Sequence, residues 1–310
     1  MVKKNDNTKI LAILTSGRKK GYTSGLLDKA IEGMESQNVD VDYVWLTRYT
    51  IKPCIACFNC IRDDKHLCTQ NDDMGKKGEG ALIKKIKEAN AILIADPVYF
   101  WGATAGAHLF FERLYPFLWT GSLNGIPFAS ISCASNQGMM REATRNLCKW
   151  AFQMKMRYIG SLSVHLSYYE EAKKQAYFLG EEIAKGAQSD IVERKEMTDK
   201  ETFYHYSYTP WKPLELYLDN LTLGSGSLQE SLPFKAMSEK RFKKADANDS
   251  LCKAVKALRE AIYNYDLGDR KEAISKIVET ASHWTNATWK EYLEEKVIGS
   301  KKPDSYRSMK

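Results

Sequence analysis

The sequence predicts an α/β protein built on a doubly wound parallel sheet of five strands, followed by a mostly helical C-terminal extension. Two observations carry this prediction. Five short apolar runs alternate along the chain with segments of helical periodicity, a pattern typical of a parallel sheet covered by helices on both faces, which makes three layers. Beyond residue 190 no further apolar run suited to a buried strand occurs.

The five predicted strands are mostly continuous apolar runs, as expected where both faces of a strand are buried. Each is followed by a segment whose apolar residues recur every three or four positions. Helices of this length between parallel strands imply right-handed crossovers. The predicted strands cover residues 9–15, 39–46, 91–95, 128–133 and 158–164, and the predicted helices cover 26–34, 81–89, 107–114, 140–154 and 170–185.

We divide the chain into a domain of residues 1–189, with a cysteine-rich loop at 52–74, and a region of residues 190–310. This second region begins as a linker, because residues 204–234 contain prolines, aromatics and a Gly-Ser-Gly-Ser run. Asp249 is the expected N-cap of a helix that ends near Gly268. A second helix and a third segment, which carries two tryptophans, complete the extension.

Composition excludes several classes of protein. Of 310 residues, 44% are hydrophobic and 27% charged, which is ordinary for a globular protein and rules out a disordered or collagen-like chain. No apolar run approaches the roughly 18 residues that span a membrane, and residues 10–14 are too few for a signal peptide. Basic residues, with a net charge of +7, lie in short runs separated by acids. We therefore expect a cytoplasmic protein that binds neither membranes nor nucleic acid.

The loop between the first strand and the first helix is a candidate phosphate site. Free backbone N–H groups and the helix dipole attract anions at such a position. Gly17 and Gly21 allow close approach, Arg18 could neutralise charge, and hydroxyl donors come from Ser16, Thr23 and Ser24. Neither dinucleotide nor Walker spacing is present, so a monophosphate fits better. A polar turn without a ligand is the alternative.

Two further strand ends carry unusual residues, and ligands of open α/β sheets bind at that edge. Three aromatic residues, Tyr99, Phe100 and Trp101, follow the third strand, where a planar aromatic ligand would explain them and packing in the core is the alternative. After the fourth strand, residues 135–138 offer amides for the polar edge of a flat heterocycle.

The most specific feature is a C-x2-C-x2-C-x7-C array, which holds four of the seven cysteines within fifteen positions. In a cytosolic chain such an array indicates metal or redox chemistry and not a disulfide framework. Four thiolates match a [4Fe–4S] cluster, whereas zinc modules usually separate their cysteine pairs further. Zinc and free thiols remain alternatives. Cys133, Cys148 and Cys252 are expected to be small buried hydrophobic residues.

These blocks resemble the iron–sulfur flavoprotein family, within the larger NADPH-dependent FMN reductase-like group of flavodoxin-like proteins. The resemblance covers roughly residues 8 to 187. Residues 15–23 are similar to the family loop G-S-P-R-x-x-G-N-T, with Gly17 replacing the proline and Tyr22 the asparagine. The cysteine array and the Asp-Asp-Met at 72–74 resemble the compact cysteine motif, and residues 97–102 resemble the P-V-Y-x-x flavin loop.

The resemblance implies noncovalently bound FMN, a nearby [4Fe–4S] cluster and a homodimer or homotetramer. It implies an FMN-dependent oxidoreductase that passes electrons from NAD(P)H or ferredoxin to an unidentified small molecule or protein. A cluster-free NAD(P)H:quinone, nitro or azo reductase is one alternative, and a redox-sensing protein acting through its C-terminal helices is another. The implied cofactor ligands are Ser16, Arg18, Gly21, Tyr22, Thr23, Ser24, Pro97, Val98, Tyr99, Phe100, Trp101, Gly102, Ser135, Asn136, Gln137 and Gly138 for FMN, and Cys54, Cys57, Cys60 and Cys68 for the cluster.

Overall fold

The structure is a computed structural model that describes residues 8–136, 138–192 and 194–299. The chain divides into two compact units, with the division between Glu196 and Met197. No helix in these described ranges is both long enough and apolar enough to cross a membrane.

The first unit contains a sheet of five parallel strands in the order β2-β1-β3-β4-β5. The predicted fold class is confirmed. The strand order reverses between β1 and β3, which makes this position the topological switch point, where open α/β sheets bind their ligands. The strands are β1 (Lys9–Leu14), β2 (Asp40–Trp45), β3 (Ala91–Pro97), β4 (Pro127–Ala134) and β5 (Arg157–His165).

Helices cover both faces of this sheet because side chains alternate along each buried strand. On β1, Ile10 and Leu14 pack with α1 and α7, whereas Leu11 and Ile13 pack with α3, α4 and α6. Two short helices, α2 and α5, lie where no helix was predicted. The helices are α1 (Tyr22–Glu35), α2 (Asn59–Arg62), α3 (Ala81–Glu88), α4 (Ala105–Glu112), α5 (Tyr115–Thr120), α6 (Met140–Gln153) and α7 (Tyr169–Val192).

The second unit is helical, as predicted, but its first part is not the loop that the sequence indicated. Three helices occupy much of residues 199–238. Two of the three prolines that suggested a linker, Pro213 and Pro233, stand in the first turns of α9 and α10, where the missing N–H costs nothing. Thr198 and Glu201 form a capping box that begins α8. The helices are α8 (Asp199–Tyr206), α9 (Pro213–Leu221), α10 (Leu232–Ser238), α11 (Ala245–Asp266) and α12 (Arg270–Thr288), followed by a π-helical segment, Trp289–Ile298.

Asp249 does not cap a helix, contrary to the prediction. Helix α11 begins four residues earlier, and the carboxylate of Glu291 accepts hydrogen bonds from the backbone N–H groups of Lys243 and Lys244 just before it. A distant side chain therefore supplies acceptors at the start of this helix, which no local sequence pattern reveals. The predicted stop near Gly268 is confirmed, since α11 ends at Asp266.

Asp96 is the buried polar anchor at the carboxyl edge of the sheet. It is 0% exposed and lies at the end of β3. Its carboxylate accepts hydrogen bonds from the hydroxyl of Thr15, from Thr104 Oγ1 at 2.7 Å and from the Thr104 backbone N–H at 3.1 Å. Burial raises the pKa of Asp96 to about 6, although these hydrogen bonds act in the opposite direction. The end of β1 and the start of α4 are thereby both fastened to β3.

We expect Asp96→Asn to change how stability depends on pH. The pKa of Asp96 is about 6 in the folded chain against an ordinary value of 3.8, so its contribution is most favourable below about pH 4 and is lost as the pH rises through 6. The loss amounts to about 3 kcal/mol. Urea unfolding measures the free energy of unfolding of both proteins at pH 4 and pH 7. The value for the variant minus that for wild type should be higher at pH 7 than at pH 4 by nearly that amount. Parallel pH profiles for the two proteins would contradict this.

Candidate cofactor site

Three of the loops singled out in the sequence meet at the carboxyl edge of the sheet. They follow β1, β3 and β4, which are adjacent and parallel. Ser16 Oγ in the first loop lies 3.4 Å from Tyr99 Oη in the second. The backbone N–H of Val98 donates to the carbonyl of Cys133, at the end of β4, at 2.9 Å. The geometry thus assembles one composite site from separate stretches of sequence.

The first loop presents an N-terminal helix end to solvent. The first N–H groups of any helix lack an intrahelical acceptor. Gly21, the N-cap of α1, has no side chain that could accept a hydrogen bond from them. Residues 17–22 are exposed, and within the described ranges Arg18, Lys19 and Lys20 form no ion pair. Free N–H groups beside unpaired cations are the donor set that a phosphate monoester requires.

Several hydroxyls proposed as phosphate ligands also build this loop. Ser24 Oγ accepts from the N–H of Gly21 at 2.8 Å and donates to its carbonyl at the same distance. Ser16 Oγ accepts from the N–H of Arg18 at 3.1 Å. Thr23 hydrogen-bonds the thiol of Cys133, which lies at the end of β4. These hydrogen bonds therefore fix the conformation of the loop.

The aromatic loop after β3 is a strained, exposed turn. Tyr99 and Gly102 form an antiparallel bridge, with N–H···O distances of 3.2 and 3.4 Å. Between them Phe100 (φ 45°) and Trp101 (φ 71°) adopt left-handed conformations, which cost free energy in residues other than glycine. Phe100 is 101% exposed and Trp101 63%. Packing in the core, the alternative considered for these rings, is thereby excluded, and their faces are open to a planar ligand.

The loop after β4 is held by a histidine that the sequence analysis missed. His165, the last residue of β5, contacts the carbonyl of Asn136 through Nε2 at 2.9 Å and Ser167 Oγ through Nδ1 at 2.9 Å. Ser135 and Asn136 are exposed, and Gly138 has a φ of 98°. The predicted ligand Gln137 lies outside the described residues.

The cysteine-rich loop brings its four thiols into electrostatic contact. Burial first, and then the charges of the neighbouring Cys68, Cys54 and Cys57 thiols, raise the pKa of Cys60 to about 12. Thiolates crowded in this way repel one another unless a cation binds them, and four cysteine thiolates are the chemical type of ligand that iron–sulfur clusters use. No three histidine, cysteine or acidic side chains in the described part of the chain are arranged to hold a single metal ion.

The three cysteines outside the array differ in their exposure. Cys133 and Cys148 are buried, as predicted, whereas Cys252 is exposed. The prediction for Cys252 was wrong because the residue lies on the outer face of α11, where its neighbour Leu251 takes the buried position.

A buried ion pair fastens the cysteine-rich loop to the sheet domain. The side chains of Arg113 and Asp72 are 1% and 0% exposed and form a bidentate pair. Asp72 also accepts from the N–H groups of Lys52 at 2.9 Å and Met74 at 3.1 Å, so it joins the two ends of the loop. Arg113 Nη2 donates to Cys68 Sγ at 3.2 Å. Arg113, directly after α4, was not singled out from the sequence.

The charges of this pair are compensated within the protein. Burial alone would raise the pKa of Asp72, but the Arg113 guanidinium and the N–H of Lys52 outweigh it and hold the pKa below its usual value. A second contact comes from Glu112, whose carboxylate accepts from the N–H of Cys54 at 2.5 Å. Glu112 at the end of α4 and Arg113 directly after it therefore contact the first and the last cysteine of the array.

We expect Arg113→Met to destabilise the protein by about 3–5 kcal/mol, because it leaves the carboxylate of Asp72 buried without a partner. The thiols of the loop should also react faster with Ellman's reagent. The matched control is Arg145→Met, whose exposed pair with Glu142 on α6 contributes less than about 1 kcal/mol. Equal losses in the two variants, measured by urea unfolding, would contradict the role assigned to Arg113.

Comparison with known proteins identifies the family of the chain. A family model for NADPH-dependent FMN reductases matches residues 8–171, more than half of the chain. An iron–sulfur flavoprotein of Archaeoglobus fulgidus is 29% identical over 197 residues, which cover 62% of this chain and 86% of that protein. An iron–sulfur flavoprotein of Methanocaldococcus jannaschii is 30% identical over 108 residues, 35% of this chain and 52% of the relative.

Among solved structures, a flavone reductase is similar with a TM-score of 0.46 and 18% identity, covering 62% of this chain and 67% of that one. An archaeal flavodoxin has a TM-score of 0.40 and 15% identity, covering 58% of this chain and 99% of that one. The resemblance to iron–sulfur flavoproteins noted in the sequence is confirmed by the curated relatives. Family and relatives together support FMN-dependent redox chemistry, and the chain belongs to the NADPH-dependent FMN reductase family.

Proposed function

We propose that this protein is an FMN-dependent oxidoreductase in which a [4Fe–4S] cluster on Cys54, Cys57, Cys60 and Cys68 exchanges electrons with FMN. The observation that carries the proposal is that one helix joins the two candidate sites. Helix α4 is capped by Thr104, which is bonded to Asp96 at the sheet edge, and it is followed by Arg113, which is bonded to Cys68. Its eight residues span about 12 Å.

When bound, FMN supplies a carrier that exchanges one or two electrons. The chain's own residues bind and orient it. The N–H groups at the start of α1 and the Arg18 guanidinium would hold the phosphate, and the rings of Tyr99 and Trp101 would cover part of the planar face. The amide of Asn136 would hydrogen-bond its polar edge.

We further propose that the protein works in the cytoplasm as a homodimer or homotetramer, without nucleic acid or membrane partners. NAD(P)H is the proposed electron donor, which the description of the matching family supports, and ferredoxin is the alternative donor. The acceptor is a small molecule or a protein. The exposed aromatic turn at residues 99–101 is the proposed place at which either would approach the flavin.

We expect the purified protein to bind FMN at least about tenfold more tightly than riboflavin, because the phosphate supplies charge-assisted hydrogen bonds that riboflavin lacks. Quenching of flavin fluorescence on titration measures both affinities. Equal affinities would remove the phosphate site from the proposal, and failure to bind either flavin would overturn it.

We expect Cys57→Ser to lose iron and sulfide after anaerobic reconstitution while FMN remains bound, because serine replaces one of four thiolate ligands. Cys252→Ser is the matched control, since Cys252 is an exposed thiol on α11 and should leave the iron content unchanged. Iron, zinc, sulfide and flavin assays give the answer. Wild-type protein that binds FMN but no iron would instead be a cluster-free FMN-dependent reductase.

A further inference from the structure

A cavity of 280 Å³ lies beside the cysteine-rich loop in the first unit. Its walls come from this loop, from α3 and from α5 with the turn after it. Much of the lining is apolar, with Met74, Ile83 and Phe117 buried at its wall. A volume of this size lies just below the range of about 300–1,000 Å³ that is usual for small-molecule sites. The cavity has room for one or two fused aromatic rings.

The charged side chains that line this cavity are basic. Lys65 and Lys87 are exposed, and no carboxylate is among the lining residues. Within the described ranges neither lysine forms an ion pair. Lys87 Nζ reaches only the carbonyl of Gly78, at 3.4 Å, and the nearby carboxylate of Glu79 is paired with Lys84 at 2.7 Å. The Glu79 carboxylate interacts with Lys87 only beyond ion-pair distance. Two ammonium groups that form no ion pair within the described ranges, beside an apolar wall, favour a ligand with a negative charge and an apolar body.

The backbone keeps this cavity open. Gly78 has a φ of +86°, and a Cβ there would lie 2.7 Å from Lys87 Nζ and 3.1 Å from a methyl carbon of Leu67. A side chain at this position would therefore occupy the space between the ammonium group and the apolar wall. His66 also lines the cavity, and its ring is held by the carbonyl of Cys60 at 2.8 Å.

We propose that this cavity binds a small aromatic organic anion, with its rings against Met74, Ile83 and Phe117 and its anionic group at Lys65 and Lys87. The proposal goes beyond the oxidoreductase function because it adds a ligand site that requires neither flavin nor cluster. Cys68 lines the same cavity, so a bound anion would contact the residue proposed as the fourth cluster ligand.

Isothermal titration of the full-length protein with 1-naphthoate tests this proposal, with the neutral 1-naphthalenemethanol as the matched ligand. We expect naphthoate to bind more tightly, and Lys65→Gln and Lys87→Gln each to weaken it about tenfold, the effect of losing one charge-assisted contact. Lys85→Gln, on the same helix α3 but outside the cavity lining and paired with Asp42 on β2, should leave the affinity unchanged. No binding to wild type, or equal affinity for the acid and the alcohol, would overturn the proposal.

A second variant tests the location. Thr120 lies at the rim and is exposed, so Thr120→Trp should fill the cavity and abolish naphthoate binding without lowering the melting temperature. Retained affinity in this variant would place the ligand elsewhere and overturn the proposal. Flavin titration of the same samples separates the two proposals, because loss of the flavin site would leave naphthoate binding intact.

Discussion

The pairing of Arg113 with Asp72 is the interaction on which the cysteine-rich loop depends. A loop of more than twenty residues has little core of its own. Its two ends are held together because the carboxylate of Asp72 accepts hydrogen bonds from the N–H groups of Lys52 and Met74. The ion pair between Asp72 and Arg113 attaches these loop ends to the end of α4. Because the opposite end of α4 is capped by Thr104, which is hydrogen-bonded to Asp96, one short helix fixes the separation of the two candidate cofactor sites.

The fold was predictable because its elements are encoded locally. Strands such as β1 and β3 contain five consecutive apolar residues, 10–14 and 91–95, and the helices between them have a clear periodicity. The helices of residues 199–238 were not predicted, since Pro213 and Pro233 were interpreted as breakers although proline also begins helices. The start of α11 was misplaced because Glu291, far along the chain, supplies its acceptors. Local signals cannot reveal a partner from a distant element.

In the candidate site, too, the features encoded in one stretch of sequence were predicted and the contacts between distant residues were not. Its loops were visible as motifs, because a phosphate loop, an aromatic turn and a cysteine array each occupy one short stretch of sequence. The residues that position these loops were missed. Each forms a hydrogen bond to a residue far away in the sequence. Asp96 and Thr15 are 81 residues apart, Arg113 and Asp72 are 41 residues apart, and His165 and Asn136 are 29 residues apart. Such contacts exist only once the fold brings distant elements together, so they follow from the topology and not from any motif.

Arg113 also has an electrostatic consequence for the cysteine array. Its guanidinium is shared between the carboxylate of Asp72 and Cys68 Sγ, which it contacts at 3.2 Å. Hydrogen bonds and positive charge at a ligating sulfur favour the more electron-rich state of a cluster, so Arg113 would raise its reduction potential. Asp72 moderates this effect because it neutralises the same guanidinium. The pair that stabilises the loop is therefore also the pair that would set the potential of a cluster bound there, and the two properties cannot be changed independently at Arg113.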